Sequence, residues 1–179
     1  ANVSTEIKPF KKQDGLKSLK GKRFTFGSES STSGRLMPQY YMQRAGIKPK
    51  DFAGGRAGFS GSHDATIALV QSGSYQAGAL NEQVWKSRVN SGDVDLSRVN
   101  VIWRTPPYSD YHWLAQGNLD RHFGIGFTTK LQRVLLGLNN KTKQGSEILK
   151  LFGAKRFIPA NAKQYKKIED IGRELGKIN

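Results

Sequence analysis

The sequence predicts an α/β domain built on a mainly parallel sheet and followed by a helical region. Up to residue 105, short apolar runs alternate with helical patterns, and beyond Thr128 the helical patterns follow one another without a strand between them. Strands that alternate with helices are joined by right-handed crossovers, which bring the strands side by side in parallel.

The strand predictions rest on four runs that have the length and apolar content of buried strands. They are RFTFG at 23–27, GRAGFSG at 55–61, YQAGAL at 75–80 and VNVIWRT at 99–105. Helices are expected to begin after the serine run at 28–33, near Ser62 and near Asn81. Three more helical patterns follow, at 129–138, 144–152 and 162–175.

The composition limits the classes of partner. The 179 residues, 36% of them hydrophobic, form one domain or two small ones, and 29 Lys and Arg against 14 Asp and Glu give a net charge of +15. An anionic partner is therefore expected, which leaves nucleic acid, acidic membranes and small oxyanions. The absence of cysteine excludes disulfides, thiol catalysis and cysteine metal sites. No membrane span and no signal peptide are predicted.

The segment FGSESSTSGRLMP at 26–38 places several hydroxyl side chains between a strand and a helix. In parallel sheets, ligands bind beyond the carboxyl ends of the strands, and a helix N-terminus offers unpaired N–H groups to an anion. The pattern alone leaves two interpretations open, an anion site or an ordinary serine cap. Pro38 lies in the first turns of this helix and cannot donate a hydrogen bond, so we expect a local distortion there.

Four longer segments carry a resemblance to a known family. LKGKRFTFGSESSTSGRLMPQYYM, GSHDATIALVQSGSYQAGAL, VIWRTPPYSDYHW and RFIPANAKQYKKIEDIGRELG resemble the phosphonate- and phosphite-binding members of the type 2 periplasmic binding proteins of ABC importers. The resemblance covers essentially the whole chain. It implies the second lobe of a two-lobed protein plus the C-terminal helices that return to the first lobe, with the N-terminal part of the first lobe missing.

This resemblance also implies a division of the chain. Residues 1–15 correspond to the crossover from the first lobe, residues 16–105 to the α/β ligand-binding lobe, and residues 106–179 to the second crossover and the C-terminal helices of the first lobe. Because the sheet that those helices normally cover belongs to the missing part, an exposed apolar surface is expected on them.

The resemblance assigns ligand-binding roles at two helix starts. Ser31, Thr32 and Ser33, followed by Gly34, resemble the serine-threonine-serine segment that grips the phosphonate oxygens. His63 occupies the place of a histidine that opens the next helix and contacts the same oxyanion. Without the resemblance, a lone histidine after SGS reads more simply as a polar cap or a surface residue.

Two acidic residues are further candidates. An ionised Asp110 would accept a hydrogen bond only from a ligand that still carries P–OH, which would reject sulfate, although Asp110 also fits a turn cap. Glu82 corresponds to an acid that meets the ammonium group of aminoalkylphosphonates, but Asn81 or Gln83 could line the cleft instead.

The expected function is therefore binding and not catalysis. His63, His112 and His122 lack zinc-protease spacing and no nucleophile elbow occurs, so no enzyme activity, cofactor or metal is expected. The resemblance implies a substrate-binding component for a phosphorus oxyanion, with the importer's transmembrane subunits as partners. It implies a periplasmic location, or a lipid-anchored extracellular one in organisms without an outer membrane. The alternative is a basic nucleic-acid-binding α/β domain, which a steep salt dependence would reveal.

Overall fold

The computed structural model describes residues 1–109 and 111–179. The chain divides into two compact units, Ala1–Pro107 together with Lys167–Asn179, and Tyr108–Lys166. The last helix therefore groups with the first unit. The expected division at residues 15 and 105 refers to the lobes of a longer protein and stays a prediction.

The first unit contains a parallel three-stranded sheet, which confirms the predicted fold class. Strand β1 is Phe24–Phe26, β2 is Gly58–Phe59 and β3 is Ala77–Gly78, in the order β2-β1-β3. Thr25 lies opposite Gly58 on one side and opposite Gly78 on the other. The central strand is therefore the one that leads into the serine run.

The prediction of a fourth strand at 99–105 is wrong. Among the described residues, the strand pairing of this segment is limited to an isolated antiparallel bridge between Val99 and Asn2. The carbonyl of Ile102 accepts a hydrogen bond of 2.9 Å from the backbone N–H of Phe10. Val99 is buried in an apolar cluster with Ile67 and its neighbours, so the apolar pattern records burial and not membership of the sheet.

The helices between the strands begin where the sequence predicted. Helix α1 is Met37–Arg44, α2 is His63–Gln71 and α3 is Glu82–Asn90. The later helices are α4 Leu119–Phe123, which was not predicted, α5 Phe127–Gly137, α6 Lys143–Leu151 and α7 Lys166–Glu174. Short 3-10 segments lie at Val3–Thr5, Gln13–Leu19, Pro49–Asp51, Ala53–Gly55 and Ala162–Tyr165.

The expected distortion near Pro38 is confirmed. Residues Thr32–Leu36 form a single π-helical turn before α1, in which the N–H of Leu36 donates to the carbonyl of Ser31 over 2.9 Å. Pro38 has no N–H to offer the carbonyl of Gly34, and this carbonyl instead accepts the N–H of Gly27 at 2.9 Å. The end of β1 and the start of the helix are thus tied together.

The core of the first unit lies on both faces of the sheet. On one face, Phe24 stacks on Phe52 with ring centroids 4.8 Å apart and meets Phe26 edge-on. On the other face, Thr25 and Thr66 are fully buried beside the cluster around Ile67. Helix α7 joins this unit through the buried Ile171 and a 3.2 Å hydrogen bond from Lys167 to the hydroxyl of Tyr41, which lies on α1.

The second unit is built around aromatic contacts and leaves much apolar surface open. Trp113 packs edge-on against Phe152 and Phe157. Several large apolar side chains on its helices and loops are well exposed, among them Leu114, Phe123, Ile125, Val134 and Leu151. The predicted exposure of apolar surface on the C-terminal helices is thus confirmed. In the described parts of the chain, no helix has the length and apolar character needed to cross a membrane.

Candidate functional site at the carboxyl edge of the sheet

Three helix starts meet at the carboxyl edge of the parallel sheet. β1 leads to Ser31, β2 to Ser62 and β3 to Asn81, and each of these residues caps the helix that follows with its own side-chain oxygen. The first N–H groups of a helix have no partner within it and carry partial positive charge. This edge therefore concentrates hydrogen-bond donors in a small region, as an oxyanion requires.

The serine run supplies both a cap and free donors. Ser31 Oγ accepts the N–H of Gly34 at 2.9 Å, which fits the cap interpretation and still leaves the Ser31 hydroxyl proton to donate. The hydroxyl groups of Thr32 and Ser33 are partly buried and form no hydrogen bond with any residue that the structure describes. Two hydroxyls at this edge are thus available to a ligand.

Two glycines allow the backbone to come close to the imidazole of His63. A methyl group on Gly34 would lie 3.1 Å from Ser31 Oγ, 3.2 Å from Gly27 Cα and 3.3 Å from His63 Cε1. Side-chain carbon atoms rarely approach this closely, so a glycine suits the position best. The serine run and His63, separated along the chain, are therefore brought into contact.

The hydrogen bond of His63 defines which ring nitrogen carries the proton. Its Nδ1 accepts the backbone N–H of Asn81 at 3.4 Å, so in the neutral ring the proton is on Nε2. Burial lowers the pKa of His63 below its ordinary value, although the neighbouring Asp64 acts in the opposite direction. At neutral pH, His63 is therefore an uncharged donor through Nε2.

The acid next to Asn81 already has partners. The carboxylate of Glu82 accepts Arg104 Nε at 2.9 Å and lies 3.0 Å from Lys86 Nζ. These cations, Lys86 first, lower the pKa of Glu82. No described contact joins Glu82 to the serine run or to His63, so the structure does not bring this candidate together with the others.

The buried Asn81 has a structural task at the same helix start. It is 6% exposed, and its Oδ1 accepts the backbone N–H groups of Gln83 and Val84. The side chain of Asn81 thus caps α3, while its backbone N–H donates a hydrogen bond to Nδ1 of His63.

The last candidate, Asp110, lies outside the described residues. Of the seven candidate residues, the structure places Gly34 against Ser31 and His63, keeps Thr32 and Ser33 in the same turn as Gly34, and leaves Glu82 in an ion pair.

Sequence reasoning missed three residues at this edge. Gly27 carries a local signal, because a glycine directly after a strand often marks a close approach of backbone. Arg104 and Arg35 carry none, since their partners Glu82 and Phe59 are distant along the chain.

Comparisons with known proteins show the family to which the chain belongs. Residues 5–165 match the model of a family described as ABC transporter, phosphonate, periplasmic substrate-binding protein. The chain belongs to this family. It is 55% identical over 177 residues to a probable ABC transporter phosphite binding protein, PhnD1, of Prochlorococcus marinus strain MIT 9301. It is also 28% identical over 98 residues to a phosphate-import protein, PhnD, of Mycolicibacterium smegmatis.

A solved structure extends this similarity to three dimensions. PhnD1 of the same Prochlorococcus strain, in complex with methylphosphonate, superposes on 99% of this chain with a TM-score of 0.95 and 55% identity. The chain covers 60% of the length of the curated PhnD1 sequence and 65% of the solved chain. Almost the whole of this chain therefore matches PhnD1, but it corresponds to only about three fifths of the length of PhnD1.

Proposed function

We propose that this protein is the substrate-binding component of an ABC importer and that it binds phosphite, a small phosphonate or a related phosphorus oxyanion. Membership of the phosphonate-binding family supports this proposal, as do the phosphite in the name of PhnD1 and the methylphosphonate in its solved complex. The observation that carries it is the pair of hydroxyls on Thr32 and Ser33, which have no hydrogen-bond partner among the described residues and lie in the same turn as Gly34, beside His63.

The proposed mechanism is capture without catalysis. A tetrahedral oxyanion would receive hydrogen bonds from the hydroxyls of the serine run, from the N–H groups at the helix starts and from neutral His63. Closure of a second lobe over the ligand would complete the cleft, and the importer's transmembrane subunits would receive the closed protein. This role requires a periplasmic location, or an anchored extracellular one where no outer membrane exists.

Selectivity among oxyanions is assigned to Asp110. A carboxylate beside an oxyanion repels it unless a proton lies between them, so Asp110 would accept a hydrogen bond from P–OH. Asp110→Asn is expected to relax discrimination against sulfate more than it lowers phosphite affinity. An unchanged ratio of sulfate to phosphite affinity would remove Asp110 from the site.

Calorimetric titration of the full-length protein with phosphite, methylphosphonate, phosphate and sulfate tests the proposal. We expect phosphite or methylphosphonate to bind most tightly, with weak dependence on salt because a single anion is bound. A basic nucleic-acid-binding domain is the competing function that the net charge of +15 favours. It would instead bind a DNA or RNA oligonucleotide with an affinity that falls steeply as salt is raised, and would ignore the small anions.

A further inference from the structure

Arg35 directly follows the serine run and is held between two aromatic rings. Its guanidinium carbon lies 4.9 Å from the ring centroid of Phe26 and 4.6 Å from that of Phe59. Both distances are within the range of favourable cation–π contacts. A flexible arginine side chain is thereby fixed in one position at the carboxyl edge of the sheet.

A hydrogen bond fixes the side chain further. Nε of Arg35 donates to Oε1 of Gln39 at 2.6 Å, and Gln39 is 8% exposed on the next turn of the helix. The two terminal nitrogens of Arg35 form no hydrogen bond with any residue in the described ranges. The charge is therefore held in place while most of its donors remain unused.

The position of this charge is defined by its neighbours along the chain. Phe26 precedes Gly27, Arg35 follows Gly34, and those two glycines are the ones in backbone contact. Both the ring under the guanidinium and the guanidinium's own backbone thus adjoin the proposed anion site. Burial also lowers the pKa of Arg35, with Glu29 acting in the opposite direction, so its field is only partly screened by water.

We propose that Arg35 is an affinity-determining residue of this site, a clamped cation whose field strengthens the binding of phosphorus oxyanions without direct contact. The inference rests on the proposed function. It adds that the aromatic clamp exists to hold a charge next to the serine run. Arg44, at the other end of α1 and 5.5 Å from the ring of Tyr40, provides a matched arginine–aromatic pair far from the site along the helix.

Two measurements on the full-length protein test this role. The first is calorimetric titration with phosphite: Arg35→Gln is expected to weaken binding about tenfold, because a fixed charge is removed. Arg35→Lys keeps the charge but loses the bond from Nε to Gln39, so its phosphite affinity should fall between those of Arg35→Gln and the natural protein. The control Arg44→Gln should stay within about twofold. Thermal unfolding of each variant reports whether the fold is kept.

The second measurement needs no ligand, because it follows the effect of the Arg35 charge on the pKa of His63. A fixed cation within electrostatic reach disfavours imidazolium. If the field of Arg35 extends to the site as proposed, Arg35→Gln should raise the pKa of His63, followed by NMR of the ring nitrogens, and Arg44→Gln should leave it unchanged. Asp64, which acts on His63 and pairs with Arg88, is the same in every variant.

The outcomes separate this inference from the proposed function. Equal behaviour of Arg35→Gln and Arg44→Gln in both measurements would overturn the role of Arg35. So would a folded Arg35→Lys that binds phosphite as weakly as Arg35→Gln. Failure of the natural protein to bind any phosphorus oxyanion would overturn the proposed function, while the pKa of His63 would still test the field of Arg35.

Discussion

Arg23 precedes β1 and Arg35 comes after it, and the two guanidinium groups at opposite edges of the sheet are used differently. Arg23 donates from Nε to the carbonyl of Ser74 and from Nη2 to that of Gly73, each over 3.1 Å. Among the described residues, Arg35 donates a hydrogen bond only from Nε, to Gln39. At the edge where the strands begin, here called the amino edge, the Arg23 guanidinium is thus bonded to backbone carbonyls of the protein. At the carboxyl edge, the terminal nitrogens of Arg35 have no hydrogen-bond partner among the described residues.

A cavity alone does not distinguish the two edges. A cavity of about 220 Å³ lies at the amino edge and is lined by Arg23, Arg56, Tyr75 and their neighbours. What it lacks is a set of helix starts that point their N–H groups at one place, because the helices begin at the other end of each parallel strand. If the proposed function is right, the direction of the strands determines on which edge the anion site lies, since the amino edge also offers space and an arginine.

The largest expected effect tests the free donors of the carboxyl edge. Thr32→Ala or Ser33→Ala should each weaken phosphite binding about tenfold or more, because a hydrogen bond to a charged group is worth roughly 1.5–3 kcal/mol. Ser28→Ala and Ser30→Ala are the controls, since these exposed hydroxyls bond to each other at 3.1 Å. Equal losses in all four variants, measured by calorimetry, would contradict the assignment.

His63 should have a smaller effect. Removal of one neutral donor costs about 1 kcal/mol, so His63→Ala should weaken phosphite binding about fivefold. Because burial lowers its pKa, His63 should titrate below about 6.5 in the free protein, and its contribution to stability should fall as pH is lowered through that value. A bound anion should raise the pKa. NMR titration with and without phosphite measures both, and a free-state pKa above 6.5 would be incompatible with the buried neutral ring.

Substitution of Arg23 at the amino edge should lower the stability of the protein without changing its affinity for phosphite. Arg23→Ala removes two hydrogen bonds to backbone carbonyls and should lower the free energy of unfolding by about 1 kcal/mol. Phosphite affinity should stay within about twofold, since distant sites act independently. Denaturant unfolding and calorimetry on the same variant test this, and a loss of affinity would show that the two edges are coupled.

The smallest effect is expected at Glu82. Its exposed carboxylate is paired with Arg104 and Lys86, and exposed ion pairs contribute about 0–1 kcal/mol. Glu82→Gln should therefore leave phosphite affinity within about twofold. A large loss in calorimetry would return Glu82 to the binding site.

Much of the structure at the carboxyl edge could be predicted from local sequence. The strand before the serine run, the cap at Ser31 and the distortion near Pro38 follow from neighbouring residues, whose spacing fixes where a helix begins. The false strand at 99–105 shows the limit, because apolar alternation reports burial without naming the partner segment. The ion pair of Glu82 with Arg104 joins distant residues, and so does the clamp of Arg35 by Phe59; no local pattern encodes such pairs.

A structure of the full-length protein with phosphite bound would show whether the anion lies at the serine run. We expect Thr32 Oγ1, Ser33 Oγ and His63 Nε2 all to lie within about 3.2 Å of oxygens of one anion at the carboxyl edge of the sheet. An anion bound instead in the cavity beside Arg23 would contradict it, and so would a site in which the serine hydroxyls point away from the ligand.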